Sequence, residues 1–258
     1  MYKGQYSSDN LAYPSTYPLL NPVATLFVIT MSEPKVLSLA VVLYPGINIV
    51  DYQGPMELLE TAGTKSRMGA LVTSLPGVPK PKVKFETEYL AETHDPITPM
   101  AGARVLPTKT FSEVASNQFD IILVPGGDNT RPGEPSKALA DFIRGQASGA
   151  QYILSVCTGS WILAGLGLLD GKRATTNKSY FNEIKKTTSP SIEWVPKARW
   201  VVDGKFWTSS GVTAGQDMGH EFLKTVAGAE FAIVAKNTME LRATNADDDE
   251  FADVFGLV

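Results

Sequence analysis

YILSVCTGSWILAGLGLLDGKRATTN, residues 152–177, decides how this chain is read. QYILSV (151–156) has the continuous apolar character of a strand buried on both faces, and TGSWILAGLGLL (158–169) follows it at once as a helix. Cys157, the chain's single cysteine, stands at the junction. A sharp strand-to-helix turn forces its apex residue into a strained backbone conformation, so its neighbours must be small. Ser155 and Gly159 sit two residues to either side, as in the flanks of a G-x-S-x-G nucleophile elbow. A thiol at a helix N-terminus meets the positive end of the dipole and unpaired N–H groups, which favour its thiolate. The plainer alternative is an inert, buried small residue. The S-x-C-x-G context at a strand end favours the nucleophile.

Working outward, the same alternation repeats. KVLSLAVVLY (35–44) reads as a buried strand, and PMELLETAG (55–63) as a helix with Pro55 in its first turn and Gly63 at its end. ALVTSL (70–75) reads as a second strand, and the alternating KVKFETEYL (82–90) as half of a hairpin. FDIILVPGG (119–127) is a strand ending in a glycine pair, followed by the helix SKALADFIRGQA (136–147). WVVDGKFWTSSG (200–211) carries Asp203-Gly204 between two β-rich arms, a hairpin signal. TAGQDMGHEFLKTVAG (213–228) is a helix in which Thr213 and Gln216 fit a capping box. Together these give an α/β sandwich with a largely parallel sheet and a few antiparallel additions. In such a sheet ligands bind beyond the carboxyl ends of the strands. Asp51, Gly126-Gly127 and Cys157 all fall just past such ends.

Composition narrows the function classes. A net charge of −4 argues against nucleic acid or an anionic membrane surface as partner. No apolar run approaches the roughly 18–20 residues that span a bilayer. One free thiol fits a reducing, cytoplasmic compartment. Residues 1–30, rich in Tyr, Ser and Pro, read as a poorly ordered arm with a short strand at 23–30. Residues 31–245 read as a single domain. The acidic 246–258, with its DDDE run, reads as a solvated tail.

SVCTGSWILAGLGLLDGKRATTN, with ILVPGG upstream and SGVTAGQDMG downstream, resembles the DJ-1/PfpI superfamily over roughly residues 35–240. IVDYQGPMELL (49–59), an Asp preceding a Gly-Pro pair, is similar to the corresponding segment of its isocyanide hydratase branch. The resemblance implies a three-layer, flavodoxin-like/DJ-1-like sandwich with a nucleophile elbow at a strand-helix turn, and commonly a homodimer. It implies hydration of an isonitrile to an N-substituted formamide, with Cys157 as nucleophile, Asp51 as acid/base carboxylate and Thr158 as a supporting hydroxyl. Two positions depart from the wider superfamily. Asn177 stands where many relatives have His, and Thr158 follows the cysteine where the peptidase and glyoxalase branches place His.

Each residue has a structural alternative. Asp51 suits a first-turn charge on the 55–63 helix. Gly126 and Gly127 are either turn glycines or, with the Thr158 amide, backbone donors to an oxyanion. Asp217 reads as a structural first-turn charge. His94 falls in a loop and His220 on the polar face of the 213–228 helix, both toward solvent and neither placed to activate Cys157. A carboxylate is left as the proton-transfer group. Two scattered His and one Cys make no metal site, and PGGDNTRPGEP lacks the P-loop Lys-Ser/Thr pair. No cofactor is expected, and the partner is a small-molecule substrate. The rival class is a noncatalytic, oxidation-sensing or stress-associated protein using the same thiol.

Overall fold

The computed structural model describes residues 33–258. The expected arm at 1–30 and its short strand lie outside them. In chain order the elements are β1 (Lys35–Val42), α1 (Ile49–Leu59), α2 (Arg67–Ser74), β2 (Val83–Ala91), β3 (Lys109–Thr110) and β4 (Ile121–Val124). They continue through α3 (Lys137–Ala147), β5 (Tyr152–Val156), α4 (Gly159–Gly165), β6 (Arg173–Ala174), α5 (Phe181–Thr187) and β7 (Glu193–Trp194). β8 (Trp200–Asp203), β9 (Phe206–Ser209), α6 (Ala214–Ala227), α7 (Ala229–Thr238) and α8 (Phe251–Val254) complete the chain.

Seven strands form one sheet in the order β3-β2-β1-β4-β5-β9-β8, and β6-β7 form a two-stranded pair. Every neighbouring pair is parallel except β8-β9. The central strands are apolar and covered on both faces: Leu39 to Val42 and Ile121 to Val124 are buried throughout. α1 packs on α6, α6 on α7, while α3 and α4 meet β4 and β5. The sheet therefore places the ends of β1, β4 and β5 side by side.

Five expectations are corrected. Residues 70–74 belong to α2, with Leu75 as its C-cap, not to a strand. Ser66 caps that helix by accepting from Gly69 N–H at 3.2 Å, and only Gly69 and Val72 are buried in it. Residues 82–90 are not half of a hairpin, because β2 runs parallel to β1 with Lys35 opposite Val83. The helix expected at 55–63 begins six residues earlier. Asn48 is its N-cap, so Pro55 lies inside the helix rather than at its start. Proline there withholds the N–H that would meet the Asp51 carbonyl. Its ring packs against α6 at Gly219, where a Cβ would lie 2.8 Å from Pro55 Cβ. Thr213 flanks α6, but its hydroxyl caps nothing and accepts from Arg199 Nη2 at 3.4 Å instead.

The C-terminal stretch is the fifth. Residues 246–258 do not trail into solvent. Arg199 N–H donates to the Ala246 carbonyl at 2.7 Å, Asp249 and Ala252 are buried, and α8 follows. Asp249, inside the DDDE run, meets Lys178 with both side chains almost fully excluded from water. A local acidic run discloses nothing about a cation 71 residues away in sequence. Among the described residues no helix is long and apolar enough to cross a membrane.

Candidate active site

The β5–α4 junction has the geometry of an elbow. Cys157 has φ +56°, a left-handed backbone that costs a non-glycine residue about 1–3 kcal/mol unless its surroundings enforce it. They do so here. Its N–H donates to the Ser210 carbonyl at 2.8 Å, and its own carbonyl accepts from Ser160 Oγ at 3.0 Å and Thr176 Oγ1 at 3.2 Å. Gly159 is small because α4 must pass against β4: a Cβ there would sit 2.2 Å from the Val124 carbonyl oxygen.

The elbow presents the thiol to a cavity of about 400 Å³. Met100, Trp161, Tyr180 and Val212 form its apolar walls, and Asn48 and Asn177 are among its polar ones. Arg131 lies 5.1 Å above the Trp161 ring and pairs with Glu183 at 3.1 Å, so the cation lining this cavity is already engaged.

Asp51, from the first turn of α1, is fully buried beside this thiol. Gly126 N–H donates to its Oδ2 at 2.9 Å, while Oδ1 is buried with no hydrogen-bond partner among the described residues. Burial pushes the carboxyl up to about 7, against the opposing pull of the Gly126 amide and the Cys157 thiol. The thiol is pushed up to about 12, first by burial and then by the neighbouring Asp51 charge. Three donors oppose that rise: the Asn177 side chain and the Thr158 backbone and hydroxyl. Desolvation therefore outweighs the helix N-terminus, and the thiolate expected from sequence is disfavoured in the resting site. Thiol and carboxyl each resist a negative charge, so they titrate as a coupled pair. Tyr44 stands against the same pair, with its hydroxyl donating to the Pro125 carbonyl at 2.8 Å, and it feels both Asp51 and Cys157.

The two glycines act differently from the oxyanion donors expected of them. Gly126 N–H is committed to Asp51, and Gly127 N–H donates to Thr158 Oγ1 at 3.1 Å. A Cβ on Gly126 would lie 2.7 Å from both Asp51 Oδ2 and Thr158 Oγ1. Their work is close packing and orientation of the carboxyl and the hydroxyl.

Asn177 is the functional residue that sequence reasoning passed over, having marked it only as a departure from His. Its Nδ2 donates to Cys157 Sγ at 3.2 Å, while its Oδ1 accepts from Ser179 N–H at 2.9 Å and Ser179 Oγ at 2.5 Å. Those two bonds to the oxygen fix which end of the amide faces the sulfur. Asn177 can donate to a thiolate but cannot carry a proton away. Neither histidine lines the cavity. His94 is exposed and pairs with Glu113 at 2.9 Å. His220, expected in solvent, is half-buried on α6 with its Nε2 shielded, and burial lowers its pKa. Asp217 is structural: it pairs with Arg199 at 2.6 Å and accepts from Thr244 Oγ1 at 2.8 Å. Among the described residues no group of three His, Cys, Asp or Glu is placed to hold a metal.

The DJ-1/PfpI family model matches residues 38–225. The chain is 32% identical over 205 residues to an isonitrile hydratase of Pseudomonas putida, spanning 79% of this chain and 78% of that protein. It is 30% identical over 129 residues to protein dj-1beta of Drosophila melanogaster, spanning 49% and 66%. The crystal structure of a ThiJ/PfpI family protein from Pseudomonas syringae superposes with a TM-score of 0.66 at 26% identity, covering 90% of this chain and 84% of that one.

Proposed function

This chain belongs to the DJ-1/PfpI family, and from that premise we propose that it is a cysteine-dependent hydratase, adding water to an isonitrile to give an N-substituted formamide. The observation that carries the reading is the thiol–carboxyl pair: Cys157 lines a cavity that no histidine lines, and Asp51 is buried beside it. The similarity to an isonitrile hydratase across most of both chains supports the same chemistry.

In the reaction an isonitrile R–N≡C enters with its terminal carbon toward Sγ. The Asp51 carboxylate takes the thiol proton and delivers it to that carbon as the sulfur–carbon bond forms, giving the thioimidate R–N=CH–S. The thiolate that develops is stabilised by Asn177 Nδ2 and the Thr158 donors. Water then adds to the same carbon. Asp51 accepts a proton from the water and passes it to the nitrogen. The tetrahedral R–NH–CH(OH)–S collapses to R–NH–CHO, and the thiol regains its proton. Isonitrile plus water equals formamide, with no redox change. A thiol with a depressed pKa would be largely ionised before substrate arrived. Here ionisation is coupled to attack, because Asp51 accepts the proton only as carbon receives it.

With Arg131 engaged, the other ionisable side chains lining the cavity besides Cys157 and Tyr180 are the carboxyls of Asp128 and Glu134, which disfavour an anionic substrate and leave Met100, Trp161, Tyr180 and Val212 to hold an uncharged one. The oxidation-sensor reading gains little from the site, since a buried thiol pushed up to about 12 is a poor target for peroxide. The test is formamide appearance from an aromatic isonitrile, with Cys157→Ala alongside and intact mass of the quenched protein. Turnover by the wild type, an adduct equal in mass to the isonitrile, and loss of both in the variant are expected. No turnover from protein whose thiol is shown to be intact would overturn the assignment.

A further inference from the structure

We propose that the C-terminal segment is part of the thiol's scaffold: Asp249, acting through Lys178, holds Asn177 in the orientation that directs its amide N–H onto Cys157 Sγ. Both are positioning residues, and the inference rests on Cys157 as the reactive group, whatever its substrate.

Lys178 is the residue after Asn177. Its Nζ donates to Thr175 Oγ1 at 2.7 Å and to the Ala198 carbonyl at 2.8 Å, and lies 3.1 Å from Asp249 Oδ2. The side chains are 2% and 1% exposed. The contact with Asp249 is one of charge rather than a directed hydrogen bond. Two ions removed from water in this way add little net stability over apolar replacements, so the pair is better explained by what it fixes in place. What it fixes is the segment 175–178. Thr175 N–H donates to Thr208 Oγ1 at 2.9 Å, Thr176 Oγ1 holds the Cys157 carbonyl, and Asn177 reaches the sulfur. Asp249 is itself anchored by a strap over the same edge. Thr244 binds Asp217, Ala246 accepts from Arg199 N–H, and Asp249 Oδ1 accepts from Phe251 N–H at 3.1 Å. Without Asp249, Lys178 would hold a buried charge with no counterion and would have to leave, pulling residue 177 with it.

The charged and titratable groups facing the thiol are Asp51 and Tyr44; those facing Lys178 are Asp249 and Arg199. The experiment measures the pH dependence of Cys157 alkylation by iodoacetamide in the full chain, which needs no isonitrile and so fails independently of the hydratase assignment. Asp249→Asn is expected to slow alkylation about tenfold at a fixed pH near 8, as for one lost donor to a thiolate, with the profile displaced upward by about one unit. Asn177→Ala is expected to do the same. In the Asn177→Ala background Asp249→Asn should change nothing further, because the effect passes through that amide. Lys178→Met/Asp249→Leu, which removes both charges and keeps the packing, provides the folded counterpart if the single variant does not fold. It leaves no charge unpaired but removes the Lys178 Nζ bonds to Thr175 Oγ1 and the Ala198 carbonyl that tether residue 177, and is expected to show the same displacement. A folded variant of either kind with the wild-type profile would overturn the proposal, as would additive losses in the Asn177→Ala background. Failure of both to fold would assign the pair to the core alone.

Discussion

The elbow and the C-terminal strap lie on the same edge of the sheet, yet one is written in adjacent residues and the other is not. At the elbow, the strand, the apex and the small flanks follow one another within residues 152–165, so the junction is marked locally even though Val124, Thr176 and Ser210 complete it: Cys157 takes φ +56° and Gly159 makes room for the Val124 carbonyl. In the strap, every important contact joins residues far apart. Asp249 meets Lys178, Asp217 meets Thr244, and Arg199 meets both Asp217 and Ala246. Local sequence gives only an acidic run there, and an acidic run ordinarily means solvent. Backbone strain is legible at short range, whereas charge pairing becomes legible only after the chain has folded.

That contrast can be broken from either side. The largest effect is expected at the elbow from Gly159→Ala. A Cβ 2.2 Å from a backbone oxygen cannot be relieved by rotating a side chain, so α4 must move off β4. We expect loss of more than about 4 kcal/mol, read by denaturant unfolding. A variant within 1 kcal/mol of wild type would show that the junction is not tightly specified. Next comes Asp249→Ala in the strap, expected to cost about 3–5 kcal/mol because it leaves the Lys178 charge buried alone. For scale, Lys137→Ala, which removes an exposed i,i+4 pair with Asp141, should change stability by less than about 0.5 kcal/mol. A strap that were only a solvated tail would give Asp249→Ala the value of that surface pair.

Gly126→Ala sharpens the comparison within the site. Its new methyl meets the Asp51 carboxyl and Thr158 together. We expect hydration to fall about 100-fold with a smaller change in stability, since a misplacement near 1 Å costs that much in rate. Equal losses in stability and rate would make Gly126 a packing residue only.

The last effect is a pH dependence. Asp51 titrates near 7 in the folded chain against an ordinary 3.8, so between those values the native state binds more protons than the unfolded state. Stability from this group is complete below about pH 3.8 and is lost as pH rises through about 7. Asp51→Asn should flatten the decline over that window and leave the variant the more stable one at pH 8, by a few kcal/mol at most. A wild-type curve rising with pH across that window, or a variant curve that parallels it, would show that Asp51 is not held neutral by burial.

The fold class was legible because strands buried on both faces and their following helices leave long apolar signals. The failures have local causes. Asn48 and Ser66 each cap a helix start that apolar content alone hid, and Pro55 looked like a helix start because proline is favoured in a first turn and disfavoured in a helix interior. Cys157 and Asp51 could be placed at one edge from strand ends. Their mutual effect could not, because a helix N-terminus is visible in sequence and the depth of burial is not. Asn177 was visible only as a missing histidine. Its signal was the N-K-S sequence, in which an Asx turn onto Ser179 turns the amide nitrogen toward the sulfur.

The measurement that tests the account most directly is hydration of an aromatic isonitrile by wild type and Asp51→Asn across pH 5–9, read as formamide formed. The account expects wild-type turnover to rise through about pH 7 as the carboxylate forms, and Asp51→Asn to show none while remaining folded with its thiol intact. Turnover by Asp51→Asn at the wild-type rate, with an unchanged pH profile, would contradict it.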